Sequence, residues 1–197
     1  MQERARQSLS VSEAGRDLTE ARLLERLRSK DPAASRLFYD RYAGYLTAVC
    51  LRYVPDRADT KDILQEAFIR MFERVDRFEF RGEGSLKAWA ARIVVNGALK
   101  NLQRKKRLTF VEDLPDLPEE EDPAVEKVPP GIIQRMIEEL PDGYRTVFNL
   151  FVFEQKSHRE IADLLGIKED SSASQFSRAR SLLARQIKNY LKEHGQE

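Results

Sequence analysis

The residues best suited to chemistry lie near the carboxyl end of the chain, between Ser157 and Arg180. Hydroxyl, amide and guanidinium side chains recur there, and proteins use these groups to hydrogen-bond with the base edges and phosphates of nucleic acids. The composition of this segment therefore favours recognition of a DNA duplex over catalysis. The candidate contacts are Ser157, Arg159, Lys168, Ser171, Ser172, Ser174, Gln175, Arg178 and Arg180.

The same segment has the pattern of two helices joined by a tight turn. Ser157 and Glu160 have the spacing of a capping box, which begins a helix. Gly166 falls where the chain must turn sharply, and Ile167 follows as a plug between the helices. We predict a helix-turn-helix whose second helix enters a major groove, although a helical hairpin that only packs a core has the same pattern. The side chains expected to face inward on the second helix are Phe176, Ala179 and Leu183.

A second candidate surface is the basic segment 81–107, which holds eight Lys/Arg residues and one acid, Glu83. Ser85 is placed to cap a helix there, and the preceding loop, 80–84, is predicted to form a pocket for a base. Cations that follow a backbone and amides that hydrogen-bond to bases suit an unpaired strand. Trp89 lies on the apolar side of this helix, which favours core packing over base stacking. The candidate contacts are Phe80, Arg81, Gly82, Lys87, Trp89, Arg92, Asn96, Lys100, Asn101, Arg104, Lys105 and Lys106.

These surfaces need helices to position them, and the periodicity of most of the chain is helical. Apolar residues recur at helical spacing after Asp31, from Asp59 to Val75, and again from Ile132. Between residues 108 and 130 the period is lost, and five prolines occur there. We predict an all-α protein of two small helical domains: a flexible tail at 1–17, a first domain at 18–107, an acidic, Pro-rich linker at 108–130 and a second domain at 131–197.

The composition excludes several classes of protein. The single cysteine, Cys50, cannot form an internal disulfide, and only His158 and His194 are available for a Cys/His zinc cluster. The charged amino terminus lacks the apolar stretch of a signal peptide, and no run has the length to span a bilayer. We therefore expect a cytoplasmic protein without a cofactor, in which Cys50 belongs to a core.

An enzyme would have to use Asp59, Asp62 and Glu66, which share one helical face and could ligate a metal. No second ligating segment and no nucleophile–base pair accompanies them, so we expect neither a catalytic residue nor a metal. A pure interaction scaffold is a third class, but it would leave the capping box, the turn glycine and the basic helix without a use.

Three motifs follow one another along the chain: DILQEAFIRMFERVDRF, FRGEGSLKAWAARIVVNGALKNLQRKKR and LPDGYRTVFNLFVFEQKSHREIADLLGIKE. Together they resemble extracytoplasmic-function sigma factors over most of the chain. The resemblance implies a subunit that directs promoter recognition, promoter melting and transcription initiation. Residues 18–107 would correspond to sigma region 2 and bind core polymerase and the −10 element. Residues 131–197 would correspond to sigma region 4 and bind the −35 element.

The resemblance also implies partners. The helix matching Asp59–Val75 would dock on the clamp coiled coil of the largest RNA polymerase subunit, and the second domain would bind the β flap. An anti-sigma factor would mask the polymerase-binding surfaces, and no small-molecule substrate is expected. A simply solvated helix face would have the same polarity as the clamp contact. The candidate clamp contacts are Asp62, Gln65, Glu66, Arg70 and Glu73.

The sequence leaves alternatives open. The eight acids between Glu112 and Glu126 either imitate a phosphate chain in the polymerase or keep a solvated spacer extended. Ser172, Ala173 and Gln175 stand where bulkier or basic residues are frequent in the family, so the promoter sequence is not determined. The alternative function is a free-standing helix-turn-helix regulator whose first domain senses a ligand or a partner.

Overall fold

The computed structural model describes residues 18–105 and 123–195, which form two compact units. The first unit takes in residues 18–50 and 56–99, and the second takes in residues 51–55, 100–105 and 123–195. The described ranges contain helices and no strand, which confirms the prediction of an all-α protein. The tail at 1–17, Lys106 and the acids from Glu112 to Asp122 lie outside the described residues.

Helices α1 to α8 follow one another along the described chain. Short 3₁₀ turns occur at Val75–Arg77 and Val125–Lys127. The helix predicted from Asp59 starts earlier, because the Asp56 carboxylate accepts a hydrogen bond from Asp59 N at 2.8 Å and caps it. The helices are α1 (Glu20–Arg28), α2 (Pro32–Tyr53), α3 (Arg57–Arg74), α4 (Ser85–Arg104), α5 (Pro130–Glu139), α6 (Asp142–Val152), α7 (His158–Leu165) and α8 (Glu169–Glu193).

The core of the first unit is built from apolar stripes of α1 to α4. Cys50 is fully buried, as predicted. Burial of such stripes supplies most of the stability of short helices, which are marginal when isolated in water. Representative core side chains from the four helices are Leu24, Phe38, Met71 and Leu86.

Helices α3 and α4 approach each other closely at Gly97. A Cβ atom at this position would lie only 3.2 Å from Ile63 Cγ2. A larger residue at position 97 would therefore require the Ile63 side chain to shift by a few tenths of an ångström. Helix α4 carries the basic candidate contacts. Its close packing against α3 therefore fixes the position of the helix that bears them.

The core of the second unit lies between α5, α6 and α8. Arg145 is buried there, and its guanidinium donates to the carbonyls of Glu138 and Leu140 at 2.9 and 2.6 Å and pairs with Asp142. These bonds satisfy a buried charge and hold the turn between α5 and α6. The clustered core side chains are Val128, Met136, Ile137, Leu140, Tyr144, Ala179, Leu183, Ile187 and Leu191.

Candidate nucleic-acid interface

The predicted helix-turn-helix is present in the second unit as α7, a turn and α8. The Ser157 hydroxyl accepts a hydrogen bond from Glu160 N, and the Glu160 carboxylate accepts one from Ser157 N, so the capping box is confirmed. Gly166 has a φ of +70°, in the left-handed region that favours glycine, and its N–H donates to Ala162 O at 2.8 Å. The sequence therefore predicted the start of α7 and the turn that follows it.

A cluster of rings holds α8 against α6 and α7. The ring centroid of Phe176 lies 4.3 Å from that of Phe151, which stacks on His158 at 4.7 Å. His158 Nδ1 also hydrogen-bonds with Ser172 Oγ at 3.1 Å. Because side chains from three helices meet here, these contacts set the angle at which α8 leaves the turn.

Ala179 and Leu183 of α8 are buried and Phe176 is half-buried, as predicted, but three of the predicted DNA contacts are buried beside them. Ser172, Gln175 and Arg178 are only 0%, 1% and 7% exposed, so this structure does not present them to DNA, and their contact with DNA stays a prediction. Ser172 and Gln175 are three residues apart, and they continue along the inward stripe to Ala179 and Leu183. Arg178 lies one turn from Gln175, beside the same stripe.

Between residues 173 and 180, the outward face of α8 carries small groups and one cation, Arg180. Ala173 and Ser177 belong to it and were not among the predicted contacts. Their i, i+4 spacing places them together, opposite the pair 175 and 179. Ser171 is half-buried. The exposed residues of this helix-turn-helix that remain candidate contacts are Ser157, Arg159, Lys168, Ala173, Ser174, Ser177 and Arg180.

In the first unit, the loop before α4 and the first two turns of α4 border a cavity of about 370 Å³. This volume falls within the range of small-ligand sites. The rings of Phe78 and Trp89 lie 5.0 Å apart on its wall, and Trp89 is half-buried, so it both packs on Phe78 and lines the cavity. The lining residues are Arg77, Phe78, Glu79, Arg81, Ser85, Ala88, Trp89 and Arg92.

The loop beside this cavity depends on two glycines with positive φ, +108° at Gly82 and +87° at Gly84. The Ser85 hydroxyl donates to Gly82 O at 2.6 Å and accepts from Arg81 N at 3.2 Å. Ser85 therefore closes the loop, and the prediction that its side chain caps α4 is wrong.

Glu20 of α1 caps α4 instead, and the sequence analysis missed it. Its carboxylate accepts hydrogen bonds from Leu86 N at 2.9 Å and from Lys87 N at 3.1 Å. Tyr42 donates its hydroxyl to the same carboxylate at 2.8 Å; burial and this hydrogen bond raise the pKa of Tyr42. The Glu83 carboxylate in turn accepts from Glu20 N at 2.9 Å. No local pattern could have revealed this cap, because Glu20 and Leu86 are 66 residues apart.

The remaining basic candidates line the outside of α4. Asn101 is an exception: it is buried on the same side as Ala98 and Leu102, so this structure does not present it to DNA, and its contact with DNA stays a prediction. The Lys87 ammonium lies 4.1 Å from the ring centroid of Tyr45, which is partly exposed. The exposed candidates of the loop and helix are Phe80, Arg81, Lys87, Arg92, Asn96, Lys100, Arg104 and Lys105, and Gly82 is half-buried.

The outer face of α3 is polar, with two apolar neighbours. Arg70 is half-buried and pairs with Glu66 at 3.2 Å, an exposed contact that contributes little to stability. Ile69 and Tyr39 are exposed beside this face. Among the described residues, no three metal-ligating side chains come together, and this includes the acids of α3. The other clamp candidates, all exposed, are Asp62, Gln65, Glu66 and Glu73.

Comparison with known proteins matches two stretches of the chain to family models. The family model for Sigma-70 region 2 matches residues 38–108, and that for Sigma-70, region 4 matches residues 131–183. The ECF RNA polymerase sigma-E factor of Haemophilus influenzae is 28% identical over 184 residues, which cover 86% of this chain and 96% of that protein. The chain belongs to the extracytoplasmic-function sigma factors.

Other relatives of this sigma factor carry similar names. The ECF RNA polymerase sigma-E factor of Escherichia coli (strain K12) is 28% identical over 184 residues, covering 86% of this chain and 95% of the relative. The RNA polymerase sigma-H factor of Pseudomonas aeruginosa is 26% identical over 185 residues, covering 87% and 95%.

The sigma factor recognises promoter DNA and initiates transcription together with core RNA polymerase. This confirms the interpretation of the three sequence motifs and displaces the alternative of a free-standing regulator. No helix in the described ranges is both long enough and apolar enough to cross a membrane.

Proposed function

We propose that the sigma factor opens promoters by holding an unpaired base of the −10 element in the cavity beside Trp89. The cavity is the observation that carries this proposal, because its wall combines two aromatic rings with arginines. Stacking of one base on an aromatic ring contributes about 1–3 kcal/mol. Capture of a flipped base offsets part of the cost of unpairing it, so strand separation proceeds without nucleotide hydrolysis.

The basic side of α4 then guides the displaced strand away from the cavity. Arg92, Lys100 and Arg104 are exposed along this helix. Cations in such a row neutralise phosphates without reading sequence. In this proposal residues 18–107 act as the region 2 domain and residues 131–197 as the region 4 domain, joined by the linker at 108–130.

Recognition of the −35 element is assigned to the outward face of α8. Ala173, Ser174 and Ser177 are small enough to let the helix approach the base edges closely, and hydroxyl groups hydrogen-bond with several bases. In this assignment Arg159 and Arg180, which are both exposed, contact phosphates, and these contacts set the register of the helix in the groove.

The polymerase partners follow from the same assignment. The polar outer face of α3 docks on the clamp coiled coil, the second unit docks on the β flap, and an anti-sigma factor masks these surfaces. The sigma factor acts as a binding subunit in the cytoplasm and has no catalytic residue of its own.

Core binding is tested with the triple variant Asp62→Ala, Gln65→Ala, Glu66→Ala. These side chains are exposed, so the fold is expected to persist while affinity for core polymerase falls about tenfold or more. The matched control is Arg36→Ala, Asp40→Ala, an exposed i, i+4 pair on α2. Equal core affinity of the triple variant and the control would reject the clamp assignment.

Base capture is tested with Arg92→Ala in the holoenzyme, using permanganate to detect unpaired thymines at a promoter selected from a library. Arg92 is exposed at the cavity, so its loss should reduce strand opening while core affinity stays unchanged. The α2 double variant again serves as the control. Undiminished permanganate reactivity in Arg92→Ala would count against the cavity as the capture site.

A further inference from the structure

We propose that Glu20 is a positioning residue for base capture: its buried carboxylate holds the first turn of α4 and thereby places one wall of the cavity. This inference rests on the proposed function of the cavity. It assigns to α1, which supplies no residue to the cavity, a role in promoter opening.

Both oxygens of the Glu20 carboxylate are engaged in this arrangement. It is 3% exposed, and it accepts three hydrogen bonds, from Leu86 N, Lys87 N and the Tyr42 hydroxyl. The first N–H groups of a helix have no partner within the helix, and a negative charge beside them is stabilised by the helix dipole. Glu20 thus fixes the position and the rotation of the start of α4.

The loop on the other side of the cavity is hydrogen-bonded to the same residue, Glu20. Both oxygens of the Glu83 carboxylate lie within hydrogen-bonding distance of Glu20 N, at 2.9 and 3.2 Å. Arg28 of α1 also donates to Phe78 O, at the beginning of this loop. Helix α1 therefore holds the loop at two places and the helix start at a third.

These bonds are adjacent to the residues that line the cavity. Ser85, Ala88 and Trp89 lie within two residues of the amides that Glu20 accepts from, so the cap determines where their side chains lie. Ser85 is occupied with closing the loop and does not cap the helix itself. A wall that is already in place when the base arrives loses less conformational freedom on binding.

The test compares Glu20→Gln with Glu25→Gln, a matched change at an exposed position of the same helix. The NH2 group that replaces one carboxylate oxygen in glutamine cannot accept a hydrogen bond, so at least one of the three bonds is lost. A second variant, Tyr42→Phe, removes only the hydroxyl and leaves the carboxylate on α4.

The measurement is the affinity of each holoenzyme for a single-stranded non-template −10 oligonucleotide, intact or with one abasic site at each position in turn. The readout is the ratio of the abasic to the intact dissociation constant. For the wild type we expect a ratio of about ten at one position, which corresponds to the stacking free energy of one captured base. Glu20→Gln should lower that ratio by about fivefold, which is the factor that corresponds to the loss of one helix cap. Tyr42→Phe should lower the ratio less. Glu25→Gln should leave the ratio unchanged.

The outcomes separate the two proposals. A wild-type ratio near one at every position would overturn base capture, and the role of Glu20 with it. A clear wild-type ratio that Glu20→Gln retains would overturn the role of Glu20 alone. Equal weakening of both oligonucleotides by Glu20→Gln, with an unchanged ratio, would mean that Glu20 only maintains the fold and would also overturn the inference.

Discussion

Ser157 and Glu160 hydrogen-bond to each other across the first turn of α7. The Glu160 carboxylate accepts from the N–H and the hydroxyl of Ser157 at 2.8 and 2.9 Å, and the Ser157 hydroxyl accepts from Glu160 N at 3.3 Å. This reciprocal pair determines where the supporting helix of the helix-turn-helix begins. Helix α8, which we propose reads the major groove, therefore packs against a helix whose start is fixed by this cap.

The capping box should make the second unit sensitive to acid. The hydrogen bonds from Ser157 hold the pKa of Glu160 below its ordinary value of 4.5. The pKa is lower in the folded state, so this carboxylate stabilises the fold above pH 4.5 and the contribution disappears as pH falls through the lowered pKa. In thermal melts of the whole protein, Glu160→Gln should melt below the wild type at pH 7, and the difference should shrink in strong acid. A difference that grew on acidification would contradict this cap.

The turn before α4 should not tolerate a side chain at Gly84. This glycine has a φ of +87°, where an alanine costs roughly 1–2 kcal/mol. Gly84→Ala should therefore lower the melting temperature and slow promoter opening. The control is Gly44→Ala, an exposed helical site with nothing within 4 Å of the added Cβ, where alanine should stabilise by about 0.5–1 kcal/mol. Effects of the same sign at both positions would show that the φ of Gly84 is not the cause.

Arg180 should contribute affinity for the −35 element without specifying its sequence. Its guanidinium is exposed beside the outward face of α8, where a phosphate contact is expected. In Arg180→Ala, holoenzyme binding should weaken similarly for all −35 sequences, and the slope of log affinity against log salt should fall by about one. Lys192→Ala, near the far end of α8, is the control and should leave the slope unchanged. A change of base preference in Arg180→Ala would indicate base contact in place of phosphate contact.

Cys50 should be inert while the protein is folded. It is the single cysteine of the chain, it is fully buried, and burial raises the pKa of its thiol to about 11. Since the thiolate is the reactive species, a disulfide reagent at pH 8 should label the protein only after denaturant is added. Stoichiometric labelling of the native protein within minutes would show that this core opens readily.

Interpretation of the sequence succeeded where a pattern is local. The capping box at Ser157 and Glu160 and the turn at Gly166 involve residues within one helical turn of each other, so type and spacing were sufficient. The polar outer face of α3 was likewise predicted from helical periodicity. The order of three such motifs then indicated the family.

Helical spacing places Ser172 and Gln175 on the same side of α8 as Ala179, but the prediction followed the polarity of their side chains. Ser172 and Gln175 are polar, and polarity suggested exposure, yet both are buried on the inward side of the helix. Ser172 is accommodated because His158 offers its Nδ1 as a hydrogen-bond partner. Whether such a partner exists depends on how α7 packs against α8.

The sequence by itself determined the helical class, the helix-turn-helix and the basic helix, because periodicity, caps and turns are properties of neighbouring residues. Only the tertiary structure decided that Glu20 caps α4, that Ser85 closes the loop and that Asn101 is buried. Each of these features depends on which groups, distant in the chain, meet in space. A backbone N–H that has no partner within its own segment hydrogen-bonds to the acceptor that the fold brings near it.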